Sequence, residues 1–180
     1  MPQILEGKSI ALLIAFRDFW DEEYFIPEQI LKEAGAEIKT ISTSLGQAIG
    51  MMGGEAKVDL LLDDLNVGDY NAVLFIGGSG AAKYIDDSQA HQIAKEVVQK
   101  DILLGAICIA PVILAKAGVL SGKKATVWAD NMDKSAVKVL KEEGVKYQSD
   151  PVVIDGKIIT ADGPDSAKSF AEAVIEALKA

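Results

Sequence analysis

Three short, uninterrupted apolar runs constrain this chain more than anything else in it. Ile10–Phe16, Ala72–Ile76 and Ile102–Ile107 contain no charged side chain. They are far too short to cross a bilayer as helices. They also lack the polar alternation of a strand with one wet face, so they read as strands buried on both sides. Between them apolar residues recur with helical period. A helical stretch is expected from the end of the first run to about Ala34, with Ile26, Ile30 and Ala34 on one stripe and Gly35 as its stop. Glu37–Ser42 reads as a second strand. Leu45–Leu62, glycine-rich and less regular, is expected as a β-hairpin or an irregular excursion. Ala90, Ile93, Ala94, Val97 and Val98 make one apolar helical face.

Beyond Ile107 a short helix to about Ala117 is expected, then a strand-like Ala125–Trp128. Ala136, Val139 and Leu140 mark another helix. "VVIDGKIIT" reads as a hairpin about Asp155–Gly156, and a last helix turns Ala167, Phe170, Val174 and Leu178 inward. Buried strands alternating with helices make a mostly parallel sheet covered on both faces. No repeat or linker interrupts the pattern, so one doubly wound α/β domain over residues 1–180 is expected.

Composition closes off several functions. The net charge of −9 repels phosphate backbones, so no nucleic-acid partner is expected. The single cysteine excludes an intramolecular disulfide and any paired-cysteine metal motif, and neither a metal nor another cofactor is expected. The start "MPQILEGKSIALLIAF" lacks a basic n-region and a cleavage site and does not read as a signal peptide. With no membrane association indicated, a cytoplasmic protein is the expectation.

In doubly wound folds ligands collect beyond the carboxyl ends of the strands. Three features map there: Asp18–Glu23, Gly77–Gly80, and Cys108. Cys108 falls between a strand and a helix whose first turn holds Pro111. Orphan amides and the helix dipole would favour its thiolate, although a free cysteine at such a place also fits as a buried, inert residue. The only histidine, His91, lies beside the apolar stripe of its helix and reads as a surface or boundary residue, so a Cys–His pair is not indicated. Carboxyls remain. Asp21, Glu22 and Glu23 can decorate a helix start. Alternatively, one of them lines the pocket, desolvated and protonated, and donates to the sulfur. Gly77 and Gly78 make a turn, or aim the Gly78 N–H at an oxyanion.

"IALLIAFRDFWDEEYFIP", "AVLFIGGSG", "AICIAPVILAKAGVLSGKKAT" and "IITADGPDSAKSFAEAVIEAL" stand in the order and spacing of the ThiJ/PfpI family, which the chain resembles over nearly its whole length. That family includes the parkinsonism-associated deglycase and the archaeal intracellular proteases. The resemblance implies a flavodoxin-like, class I glutamine amidotransferase-like fold. It implies an elbow cysteine at Cys108, a pocket glutamate at Glu23, and backbone donors at Gly78 and Ile109. Gly77, Trp128, Asp21 and Glu22 are expected to line the pocket. Departures matter too. Family proteases carry a histidine where Ile109 stands, and a tyrosine or histidine commonly lines the pocket where Trp128 falls. A neighbouring subunit supplies a glutamate near Lys83 in the proteases, and deglycase-like members carry an arginine near Asp162.

The pattern therefore resembles the branch with glyoxalase- or deglycase-like chemistry on small carbonyl compounds, and with a role in oxidative stress. The alternatives are a non-enzymatic redox sensor whose partner is an oxidant, a chaperone-like protein, or a hydrolase lacking the usual histidine. A homodimer or larger homo-oligomer is implied.

Overall fold

The structure is a computed structural model that describes residues 3–179; the ends of the expected 1–180 span, residues 1, 2 and 180, lie outside the described residues. The first apolar run forms Ser9–Leu13 (β1). It is followed not by a helix but by a short strand, Arg17–Phe19 (β2), and only then by Asp21–Glu33 (α1). Glu37–Ser42 is β3, as expected. The glycine-rich segment is a hairpin of Gly46–Gly50 (β4) and Glu55–Val58 (β5), then a two-residue strand, Leu60–Leu61 (β6). The second and third apolar runs become Ala72–Phe75 (β7) and Leu103–Ile107 (β8), joined through Ser88–Gln99 (α2).

Pro111–Lys116 (α3) follows β8 directly. Lys124–Ala125 (β9), Ser135–Glu142 (α4) and Lys146–Tyr147 (β10) come next. The strand expected at Ala125–Trp128 is thus shorter. β9 pairs only with β10, and the Thr126 amide is taken instead by Thr160 Oγ1 at 3.0 Å. Val152–Asp155 (β11) and Ile158–Ala161 (β12) form the expected hairpin, and Ala167–Leu178 (α5) closes the chain.

The main sheet has seven strands in the order β11-β12-β8-β7-β1-β3-β6, all parallel except β11. Alternate residues of each central strand enter opposite cores. Ala11, Leu13, Val73 and Phe75 pack beneath α2, α3 and α4, while Ile10, Leu12 and Leu74 pack beneath α1 and α5. This is the flavodoxin-like arrangement in a single domain. Three expected stripes shift at their edges. On α1 the buried line is Glu23, Tyr24, Pro27 and Leu31, with Ile26 and Ile30 only half-buried. Val98 of α2 is exposed, and on α4 Val137 is more buried than Val139. The reason on α1 is an acid: Glu23 takes a core position that an apolar count passes over.

A cysteine–glutamate pair at the carboxyl edge of the sheet

Cys108 follows β8 with φ of 65°, a left-handed conformation costly for any residue with a Cβ. Backbone bonds on both sides enforce it. The Cys108 N–H donates to the Ala161 carbonyl at 2.9 Å, and its own carbonyl accepts from the Trp128 N–H at 2.8 Å. Strain held this firmly marks a site more often than an accident. The side chain is half-buried rather than sealed.

Glu23 reaches it from the first turn of α1. The carboxyl is fully buried, and it bears on the thiol electrostatically. Oε1 accepts from the Gly77 N–H at 3.1 Å; Oε2 has no hydrogen-bond partner. Both side chains converge on Gly77, where a Cβ would lie 2.6 Å from Glu23 Oε1 and 2.8 Å from Cys108 Cβ. Gly78 adopts φ of 108°, and a Cβ there would strike the Trp20 nitrogen at 2.4 Å. The Gly78 and Ile109 amides donate to no backbone carbonyl among the described residues. The Ile109 N–H faces the sulfur.

Burial, only partly offset by the thiol and the Gly77 amide, raises the Glu23 carboxyl from 4.5 to about 7. The thiol is pushed up as well, first by burial and then by the charge of the neighbouring Glu23 carboxyl; the Ile109 amide pulls the other way. This corrects the expectation that a helix start alone would favour the thiolate. α3 is a six-residue helix, and desolvation outweighs its terminus. The repulsion from Glu23 vanishes whenever its carboxyl holds a proton. Above about pH 7 the pair keeps one proton, and the reactive arrangement is the one with that proton on Glu23.

Not every expected pocket residue belongs here. Asp21 points at the hairpin, accepting from Met52 N–H at 2.8 Å and Gly54 N–H at 2.7 Å. Its carboxylate is occupied by the β4–β5 turn. Glu22 is exposed and acts only through its charge, which adds to the rise at Glu23. Trp128 is tied to the elbow through its backbone, with its half-buried ring beside Gly163. His91 Nε2 donates to the Ile85 carbonyl at 2.6 Å, so it serves its own helix start. One participant escaped the sequence reading. Asp162, just past β12, bears on the thiol through its charge and accepts from Ser166 Oγ at 2.6 Å. The rule that selects strand carboxyl ends would have found it, had the β11–β12 hairpin been placed inside the main sheet.

No group of metal-ligating side chains occurs among the described residues, and no helix among them is long and apolar enough to cross a membrane.

A family model described as the DJ-1/PfpI family matches residues 8–177. An uncharacterized protein of Methanocaldococcus jannaschii is 36% identical over 97% of this chain and 84% of its own length. The deglycase PfpI of Pyrococcus furiosus is 29% identical over 93% of this chain and 98% of its own. The crystal structure of a ThiJ/PfpI domain protein from Brachyspira murdochii superposes with a TM-score of 0.90 at 32% identity, covering 96% of this chain and 98% of that one.

Proposed function

This chain belongs to the DJ-1/PfpI family, and from that premise we propose that it acts through Cys108 on small reactive carbonyl compounds. The observation that carries the proposal is that the buried Glu23 carboxyl and Cys108 converge on Gly77, with one carboxyl oxygen left free. With methylglyoxal, the thiolate adds to the aldehyde carbon and forms a hemithioacetal. The Gly78 and Ile109 amides stabilise the oxyanion. Glu23 gives its proton to that oxyanion, then takes the C1 proton and returns it at C2 through an enediol. Water then cleaves the resulting thioester to lactate and restores the thiol. Methylglyoxal and one water thus become lactate with no external oxidant. That a relative of similar length is named a deglycase supports the substrate class.

Lactate release from methylglyoxal tests this. Turnover abolished by Cys108→Ser is the expected result; a Cys108→Ser protein that matches wild type overturns it. Peptide hydrolysis is not part of the proposal, because Ile109 follows the cysteine and His91 is bonded elsewhere.

One observation favours a second reading. The Ile109 amide and the Glu23 carboxyl both bear on the sulfur, and they would equally hold the oxygens of a sulfinate. Mild peroxide should then add two oxygens to Cys108 before it oxidises Met132, which is 95% exposed. Methionine oxidation with an intact thiol removes this reading. We further propose a cytoplasmic homo-oligomer, for which exposed Leu45 and Met52 of the hairpin supply apolar surface; sedimentation velocity reads the assembly.

A further inference from the structure

The carboxyl edge of the sheet carries a cavity that the chemistry above does not use. Its volume is about 170 Å³, and its walls are Ala15–Arg17, Thr43, Gly80, Lys83 and Tyr84. It lies at the switch point of the sheet, where the chain leaves β1 for β3 on one side and returns to β7 on the other. That is where ligands of doubly wound folds collect.

Its charge is anomalous for this molecule. The protein carries 27 acidic residues against 18 basic ones, yet the cavity is lined by two basic residues and no acidic one. Arg17 is the only arginine in the chain. Among the described residues, neither Arg17 nor Lys83 forms an ion pair, although the surface offers many acids. Packing brings the two together. A Cβ on Gly80 would lie 1.9 Å from the Arg17 carbonyl, so only glycine lets the two segments approach this closely. Gly80 and Lys83 are three apart on the 3₁₀ turn Ser79–Tyr84, and i, i+3 residues of such a turn share a face. Phe16 supports the arginine, its ring centroid 5.6 Å from the guanidinium carbon.

The cavity also lies close to the sulfur. Cys108 follows β8 and Arg17 opens β2 just past β1, with β7 between them. Two strand spacings amount to about 10 Å. The Gly77–Gly80 turn runs the same way, with Gly77 against the thiol and Gly80 in the cavity wall.

We propose that Arg17 and Lys83 form an anion subsite, which directs Cys108 toward carbonyl compounds bearing a carboxylate or phosphate group. As a statement about substrate this rests on the carbonyl-directed reading of Cys108; as a statement about anion binding it rests on the cavity's own residues. The guanidinium can grip two oxygens, while Lys83 adds a point charge.

The test separates the two. Inorganic phosphate and pyruvate are titrated into the intact protein, and amide resonances of Thr43, Gly80 and Lys83 are followed by NMR. Saturable shifts are expected, weakened at least about tenfold in Arg17→Gln/Lys83→Gln. Amides that stay in place, or shifts that the double variant retains, overturn the subsite. A response to only one probe identifies which anion the subsite accepts. Iodoacetate and iodoacetamide then compete for Cys108, and the double variant should lose the wild-type preference for the charged reagent; an unchanged ratio overturns the link to the thiol. Phosphate binding that survives alongside a failed lactate assay leaves the subsite standing and removes only the enzymatic reading.

Discussion

Two acids in the first turn of α1 are buried almost equally, and only their surroundings differ. Asp21 is 9% exposed, and its two oxygens accept from Gly54 and Met52 at 2.7 and 2.8 Å. Glu23, two residues on, is fully buried, accepts from one amide at 3.1 Å, and keeps Oε2 unpartnered. The first is a tie between helix and hairpin. The second carries a raised proton affinity and a free oxygen toward a thiol. A buried carboxyl whose bonding is complete holds structure; one left half-bonded is available for chemistry.

The largest effect should come from breaking the satisfied acid. Asp21→Ala removes a charged acceptor from two amides, each worth about 2 kcal/mol, for a loss of about 4 kcal/mol in chemical denaturation. Met51 of the hairpin tip accepts from the Ser79 N–H at 3.3 Å, so faster hydrogen exchange should spread from the β4–β5 turn to Ser79. The pH profile of Cys108 should keep its shape, since Asp21 does not touch the sulfur. A stable Asp21→Ala protein with altered thiol chemistry would reverse the assignment of the two acids.

Glu23 should reveal itself through pH. Its carboxyl rises from 4.5 to about 7 in the folded protein, so the folded state binds the proton more tightly than the unfolded chain. Stability is then greatest below pH 4.5 and falls as pH climbs through 7. The loss amounts to about 3 kcal/mol. Denaturation midpoints across that range should fall in wild type and stay level in Glu23→Gln. Equal slopes in the two proteins would detach the shift from this residue.

How much of this was legible in the sequence follows from the same contrast. Apolar runs and helical periods gave the sheet, its layers and the helix order, because burial of strands leaves a direct trace in composition. The position of Cys108 between β8 and Pro111 was equally plain. Which acid of Asp21, Glu22 and Glu23 faces the sulfur was not fixed by periodicity, and family resemblance alone singled out Glu23. The partner of Asp21 lies some thirty residues away, in a hairpin of irregular pattern. Arg17–Phe19 escaped notice because three residues carry no period. The opposition of burial and dipole at the thiol depends on the depth of packing, which no local window records.

A smaller effect sharpens the role of Glu23 at the sulfur. In wild type, alkylation of Cys108 by iodoacetamide should rise with pH in two steps, because the pair loses two protons in sequence. Glu23→Gln leaves one proton and no charge, so a single step is expected. It should lie about one pH unit or more below the upper wild-type step, since the charge that pushed the thiol up is gone. Two steps surviving in the variant would mean that a group other than Glu23 shares the proton.

The smallest effect is expected at the residue most often sought beside a reactive cysteine. His91 is half-buried, and its Nε2 donates to the Ile85 carbonyl just ahead of α2, whose N-cap is held by Asp87 accepting from Ala90 N–H at 2.8 Å. His91→Ala removes one partly solvated hydrogen bond, worth about 1 kcal/mol. Water can satisfy the freed carbonyl, so even that figure is an upper value. Methylglyoxal turnover and the two-step alkylation profile should match wild type. A displaced profile would place a base near Cys108 after all, and the contrast between a tying acid and a working acid would then need a third member.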